Sequence, residues 1–398
     1  MQKFLSSLPA RLVFSMVIGI AVGCVANIYL MQVVVTIQSI LGSFIFFCVP
    51  LIIIGFIAPS VARLGQNVSK VLAFAFVLAY VSSIGAAFMS CFSGFEIIPR
   101  LNISSSVAQS KALPKAIFEL GLPPIMSVMS ALVISVLIGV AVCWNKSTTT
   151  VSLLEEFHKI ILSIVTKIVT PILPFFVAFT FCSLAYEGVV TKQLPVFAIV
   201  VLIVIIGHYV WLTVLYTIAA IYSKKNPFRV LKYYAPTYLT AVGTMSSAAT
   251  LPVALESARK SDVLRKDMVD FGIPLFANIH VCGSVLTEVF FAMVVSQVYY
   301  GALPSVETMV LFCLLLGVFA VGAPGVPGGT VIGSLGLIIS ALGFDNGAIS
   351  LVLSIFALQD SFGTACNVTG DGALTLILTK FIESHKNDAA GIKAETFN

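Results

Sequence analysis

The chain has 398 residues, 59% of them hydrophobic and 10% charged, with a formal net charge of +5. Soluble domains carry about 25% charged residues, so an ordinary water-soluble fold is excluded, and so small a charge gives no basis for binding nucleic acid. The eight cysteines sit in apolar segments with no CxxC pair and read as small packing hydrophobes. The four histidines are too far apart to suggest a metal site.

Apolar runs of bilayer length recur at residues 12–34, 125–144, 196–222 and 310–342. A run of about 18 or more apolar residues spans a membrane as a helix, whereas a membrane barrel needs short alternating segments. The first run is long and more spans follow it, so it does not read as a cleaved leader. The chain is expected to be an all-α polytopic membrane protein.

Basic residues cluster at Lys3 and Arg11, Arg63 and Lys70, Lys146, residues 224–232, residues 259–266, and Lys386 and Lys393. The positive-inside rule places these loops, and both termini, in the cytoplasm. The charge-poor turns 300–305 and 343–347 fall outside. The loop 94–122 carries Arg100, Lys111 and Lys115 and is placed outside by parity.

Residues 234–257 are apolar, yet both flanks, "KKNPFRVLK" and "ARKSDVLRK", are strongly basic. A segment with both ends inside cannot cross. Its middle, "VGTMSSAATLP", is small, hydroxylated and ends at Pro252, so it breaks a helix. Residues 307–342 are interrupted in the same way by "GAPGVPGGT". The expectation is two re-entrant hairpins of opposite orientation. Non-helical backbone at membrane depth persists only where it is buried or lines a wet cavity, and paired interruptions point to a transporter site.

The stretch "FALQDSFGTACNVTGDGALTLIL", residues 356–378, puts Asp360, Thr364, Asn367 and Asp371 at spacings of four, three and four. On a helix these fall on one stripe, within about 60° of each other. A carboxylate facing lipid costs about 3 kcal/mol. Facing inward it needs a cation, and this helix supplies none. A cationic substrate group can satisfy one Asp, and a metal ion or proton the other.

"SSAATLP", "PGVPGG" and "NVTGD", in this order and spacing, resemble the dicarboxylate/amino acid:cation symporter family, which includes glutamate and neutral amino acid transporters. The resemblance covers most of the chain and is strongest from about residue 222. It implies a glutamate-transporter-like elevator fold with about eight transmembrane helices and two re-entrant helical hairpins, assembled as a homotrimer in the plasma (inner) membrane. The expected organisation is scaffold helices 1–2 over residues 1–66, transport helix 3 over 67–93, and scaffold helices 4–5 over 94–190. A transport domain then spans 191–385, with hairpins at about 228–258 and 305–343, before a cytoplasmic tail at 386–398.

The resemblance assigns the substrate ammonium to Asp360. It assigns the α-carboxylate to Asn367, to the backbone at Ser246 and Ser247, and to the backbone of Val326, Pro327, Gly328 and Gly329. Thr364 and Gly363 face the substrate side chain. Asp371 and Asn367 form a sodium site, with backbone near Phe276 and His280 beside it. No cofactor is implied beyond Na+ and/or H+ as coupling ions, and the partners are an amino acid and membrane lipid.

The departures from the family carry information too. Acidic-substrate members place an Arg three residues after the amine-binding Asp, where this chain has Gly363. Other relatives place it just before the hairpin serines, where this chain has Met245. With neither Arg, a second substrate carboxylate is costly to desolvate, which favours a neutral, zwitterionic amino acid. Gly363 is expected to leave volume for its side chain.

The family's "NMDGT" appears here as "HVCGS", with His280 for Asn and Cys282 for the sodium-binding Asp. A thiol is a poor ligand for a hard cation. Fewer sodium ions are therefore expected, with Glu288 and His280 as proton-coupling candidates and His208 as a packing residue. Tyr80, Ser82 and Ser83 could add hydroxyls, but the register does not settle which.

The alternatives are an acidic amino acid or C4-dicarboxylate symporter and, further off, an uncoupled channel. No GxSxG, HExxH or phosphate-binding loop is present, so an enzyme is not expected.

Overall fold

The computed structural model describes residues 8–64, 70–101, 103, 112–323, 325 and 327–395, and every regular element among them is helical. The first apolar run, expected as one span, divides into α1 (Leu8–Val25) and α2 (Ile28–Leu64). The cause is Asn27, whose Oδ1 accepts the Leu30 N–H at 2.9 Å and caps a new helix.

α3 (Lys70–Ile97) follows, then α4 (Val128–Asn145) and α5 (Thr148–Ile164), N-capped by Ser127 and Ser147. A π turn over Val165–Val169 leads into α6 (Thr170–Tyr186), with the Thr170 N–H reaching back five residues to Val165 O. Pro171 offers no N–H to the helix and crowds the preceding turn, so a widened turn relieves it there.

The second half contains α7 (Val189–Ser223), the single turn α8 (Phe228–Leu231), α9 (Ala235–Thr244) and α10 (Ser247–Arg259). Then come α11 (Lys266–Ile279), α12 (Cys282–Tyr300), α13 (Val306–Gly322), α14 (Gly329–Leu342) and α15 (Asn346–Glu395). Six helical stretches among the described residues are long and apolar enough to cross a bilayer.

α2 packs against α4, α5 and α6, and α6 lies along α1. The α1–α6 approach depends on Gly19 and Gly23. A Cβ at either would come within 2.2 and 2.3 Å of the Ala178 and Cys182 carbonyls, as in small-residue membrane helix contacts. In the second half, α15 is surrounded by α12, α7, α9 and α11, while α3 covers α12 and α13. α12 is buried on all faces from Cys282 to Ser296, its polar Ser284, Thr287 and Glu288 included.

The loops sort by charge. Lys225 Nζ bonds Glu383 Oε1 at 2.8 Å and Val263 O at 3.3 Å, joining the α7–α8 loop, the α10–α11 loop and the distal part of α15. At the other end, the Asp345 N–H donates to Tyr300 Oη at 3.0 Å, and the Tyr300 ring lies 5.6 Å from that of Phe344. Both outer ends of the α9–α10 pair therefore lie at the basic end. Both outer ends of the α13–α14 pair lie at the opposite, charge-poor end.

Candidate functional site

Each helix pair turns at a short break. After α9, Met245 takes a left-handed conformation with φ of 53°. Ser246 is extended and caps α10, its Oγ accepting the Ala249 N–H at 3.2 Å. In the second break Ala323 is extended, and Gly328 at φ of 70° adopts a conformation that costs glycine little before α14 begins.

The two breaks touch. Ser246 Oγ donates to Gly325 O at 2.7 Å, and the Ala248 N–H reaches the same carbonyl at 3.3 Å. A cavity of about 540 Å³ reaches both, bounded by Ala248, Asn278, Ala323 and Gly325 and, across from them, by Phe76 and His158.

α15 passes behind the contact. Asp360, Thr364, Asn367 and Asp371 are all buried on it. Asp360 Oδ2 accepts the Gly328 N–H at 2.6 Å. A buried carboxylate thus sits at the start of α14, where free N–H groups and the helix dipole favour negative charge. This N–H is one of those the resemblance assigns to a substrate carboxylate; here Asp360 itself receives it. Val326, assigned to the same role, lies outside the described residues. Pro327 and Gly329 flank the donor, and Ser247 is buried at the facing tip.

Seven residues past Asp360, Asn367 meets the start of α12. α11 ends at Ile279 and α12 starts at Cys282, which leaves N–H groups without carbonyl partners. Asn367 Oδ1 accepts two of them, from Gly283 at 2.7 Å and Ser284 at 3.2 Å, and its Nδ2 donates to Ser284 Oγ at 2.9 Å. Both lone pairs of that oxygen are used, so in this geometry it has none left for a cation.

His280, in the break itself, lies with Nδ1 2.8 Å from Asp371 Oδ1 and Nε2 2.9 Å from Ser82 Oγ. A neutral ring donates to Asp371 and accepts from Ser82, and a protonated ring donates to both, with the same heavy-atom positions. The carbonyl of Phe276 accepts the His280 N–H at 2.8 Å. Among the described residues, no group of three or more His, Cys, Asp or Glu side chains is placed to hold a metal ion. Asp371 has a protein partner where the sequence reading left it to an outside cation. Ser82, which sequence reasoning could not choose over its neighbours on α3, completes the arrangement.

Two further groups are fixed between helices. Ser334 of α14 donates to Glu288 Oε1, while Glu288 Oε2 has no partner among the described residues. His208 Nε2 lies 3.1 Å from Gly283 O and 2.9 Å from Thr287 Oγ1, joining α7 to α12.

Gly363 lies against the start of α12. A Cβ there would meet the Ser284 N and Cα at 3.3 Å. The missing side chain permits the close approach of α12 to α15 at this point. No Lys or Arg among the described residues is buried, and none lines the cavity at the breaks.

The chain matches the sequence profile of the sodium:dicarboxylate symporter family over residues 8–381. It belongs to that family. Among curated relatives, it is 29% identical to mouse excitatory amino acid transporter 2 over 254 residues, 62% of this chain and 43% of that protein. It is 29% identical to human neutral amino acid transporter B(0) over 184 residues, 46% and 34% of the two chains. The rat B(0) transporter is 30% identical over 183 residues, 46% and 33%. The chain thus spans less than half the length of these relatives. As a sodium:dicarboxylate symporter family member with several bilayer-length apolar helices, it is a glutamate-transporter-like, multi-pass membrane protein.

Proposed function

We propose that this protein is a secondary active symporter that imports a neutral, zwitterionic amino acid, driven by Na+ and/or H+. The carrying observation is the buried carboxylate of Asp360 behind two touching helix breaks, with no buried Lys or Arg among the described residues. A carboxylate in that setting recognises an ammonium group, and broken helix ends supply N–H donors for an α-carboxylate. A second, side-chain carboxylate has no cationic partner in this site, and burying it unpaired is costly.

In this reading the Gly328 N–H exchanges Asp360 for the substrate's α-carboxylate as the ammonium arrives. Asn367, Ser246, Ser247, Thr364 and the backbone from Val326 to Gly329 complete the substrate shell. α1, α2, α4, α5 and α6 form a homotrimeric scaffold in the plasma membrane, with both termini cytoplasmic. α3 and α7–α15 move as an elevator, and the α13–α14 hairpin is the outer gate.

The coupling ion is the second part of the proposal. Family membership supports sodium. The His280–Asp371 contact and the committed Asn367 oxygen support fewer sodium ions than in the best-known relatives, with His280 and Glu288 as proton-coupling candidates. A second reading, an acidic amino acid or C4-dicarboxylate symporter, draws on the family description and on the excitatory amino acid relative.

Uptake by proteoliposomes of labelled alanine, serine and glutamate, under separate sodium and pH gradients, tests both. Alanine or serine uptake that outcompetes glutamate supports the first. Glutamate uptake without competition from neutral amino acids supports the second and removes the first.

A further inference from the structure

A groove of about 570 Å³ runs along the outer face between α7 and the α8–α9 segment. That is within the range of sites that hold small ligands, roughly 300–1,000 Å³. Its walls are Leu212, Thr213 and Tyr216 on one side and Phe228, Leu231 and Tyr238 on the other. Around it the surface is apolar and outward-facing: Leu239 is 69% exposed, Ile221 74% and Phe228 71%.

Two observations distinguish it from an ordinary apolar furrow. At its floor, Tyr234 Oη and Thr369 Oγ1 are buried and have no hydrogen-bond partner among the described residues. Buried hydroxyls are normally paired, so each keeps unused hydrogen-bonding capacity beneath the groove. The second is charge: the segment that supplies the lining residues Pro227, Phe228 and Leu231 also carries Lys224, Lys225, Arg229 and Lys232. Lys225 is paired with Glu383 and Arg229 with Asp262. Lys224 and Lys232 are exposed and have no acidic partner among the described residues, and Lys232 Nζ sits 4.7 Å over the Tyr233 ring.

We propose that this groove binds an anionic phospholipid, with an acyl chain along the apolar wall, the glycerol ester region at Tyr234 and Thr369, and the phosphate between Lys224 and Lys232. The basic end of the molecule is the one the positive-inside rule sets at the cytoplasmic leaflet, where anionic lipids concentrate. A soluble anion has no use for the apolar wall, and a neutral lipid leaves both lysines without a counter-charge. The floor also touches the ion-site helix. A Cβ at Gly372, next to Asp371, would come within 2.7 Å of Tyr216 Oη and 3.0 Å of Tyr234 Oη.

Native mass spectrometry of the full chain in detergent, titrated with phosphatidylglycerol or phosphatidylcholine of identical acyl chains, tests the assignment. Two basic groups near a headgroup predict about a 30-fold preference for the anionic lipid. The double variant Lys224→Gln/Lys232→Gln is expected to reduce that preference to near unity. Thr213→Trp, which fills the groove from the lipid side, is expected to remove one bound lipid with the lysines intact. Equal binding of the two lipids, unchanged binding in both variants, or displacement of phosphatidylglycerol by inorganic phosphate would overturn it.

Discussion

Asp360 Oδ2 accepts the Gly328 N–H at 2.6 Å, so the carboxylate of α15 holds down the first turn of α14 across the point where the two helix breaks meet. The same N–H group serves the arrangement in which the two breaks touch and, in the proposed reading, the substrate. Asp360→Asn keeps an acceptor for it and is expected to leave the break closed. Asp360→Leu leaves a buried donor unpaired, at a cost of about 1–3 kcal/mol. Hydrogen exchange over residues 328–332 should be near wild type in the Asn variant and clearly faster in the Leu variant.

The Gly363 contact bears on specificity. Because α12 lies against it, Gly363→Ala is expected to cost about 1–3 kcal/mol through overpacking. Gly363→Arg, which restores the residue that acidic-substrate relatives carry, is expected to lower thermal stability without yielding glutamate uptake. A stable Arg variant that takes up glutamate would show that α12 yields more easily than its packing implies.

His280 and Asp371 make the coupling prediction. Removing a donor from a buried carboxylate leaves that group unpaired, at a cost of about 1–3 kcal/mol or more. His280→Asn is therefore expected to lower the melting temperature in choline chloride. Sodium chloride should recover part of the loss in this variant and have little effect on wild type, because the emptied position exposes Asp371 to a cation. Thermal denaturation of both proteins in the two salts checks this, and an equal sodium response in both contradicts it.

Glu187 stands between α6 and α7, outside the spans, at a helix C-terminus where negative charge is disfavoured. Burial pushes its carboxyl from 4.5 up to about 7. The folded chain then binds more protons than the unfolded chain between those two values. Stability from this group is fully present below 4.5 and is lost as pH rises through 7. Glu187→Gln is expected to flatten the pH dependence of the melting temperature across that window.

The stripe on α15 and the two breaks were legible because their signals are local. Helical spacing puts Asp360 to Asp371 on one face, and Gly and Pro density stops a helix wherever it sits. The nearness of His280 to Asp371 followed from the family resemblance. Ser82 did not follow from anything local: α3 is apolar on all sides, so its sequence carries no face that says which residue looks inward. The contact of Gly363 with α12 was not legible, because an absent side chain can mean either free volume or a close neighbour and the sequence does not say where α12 lies. The division of the first apolar run at Asn27 was missed because one Asn in a long hydrophobic stretch is a weak stop until its capping bond is seen.

Equilibrium binding of labelled alanine and serine to wild type and Asp360→Asn, in detergent with sodium present, tests the central claim most directly. Removing the charge of one partner in a buried ammonium–carboxylate pair costs about 2–5 kcal/mol, so the variant should bind at least about 30-fold more weakly while remaining folded. Unchanged affinity in a folded variant would contradict the assignment of Asp360 to the substrate amine, and with it the proposed transport function.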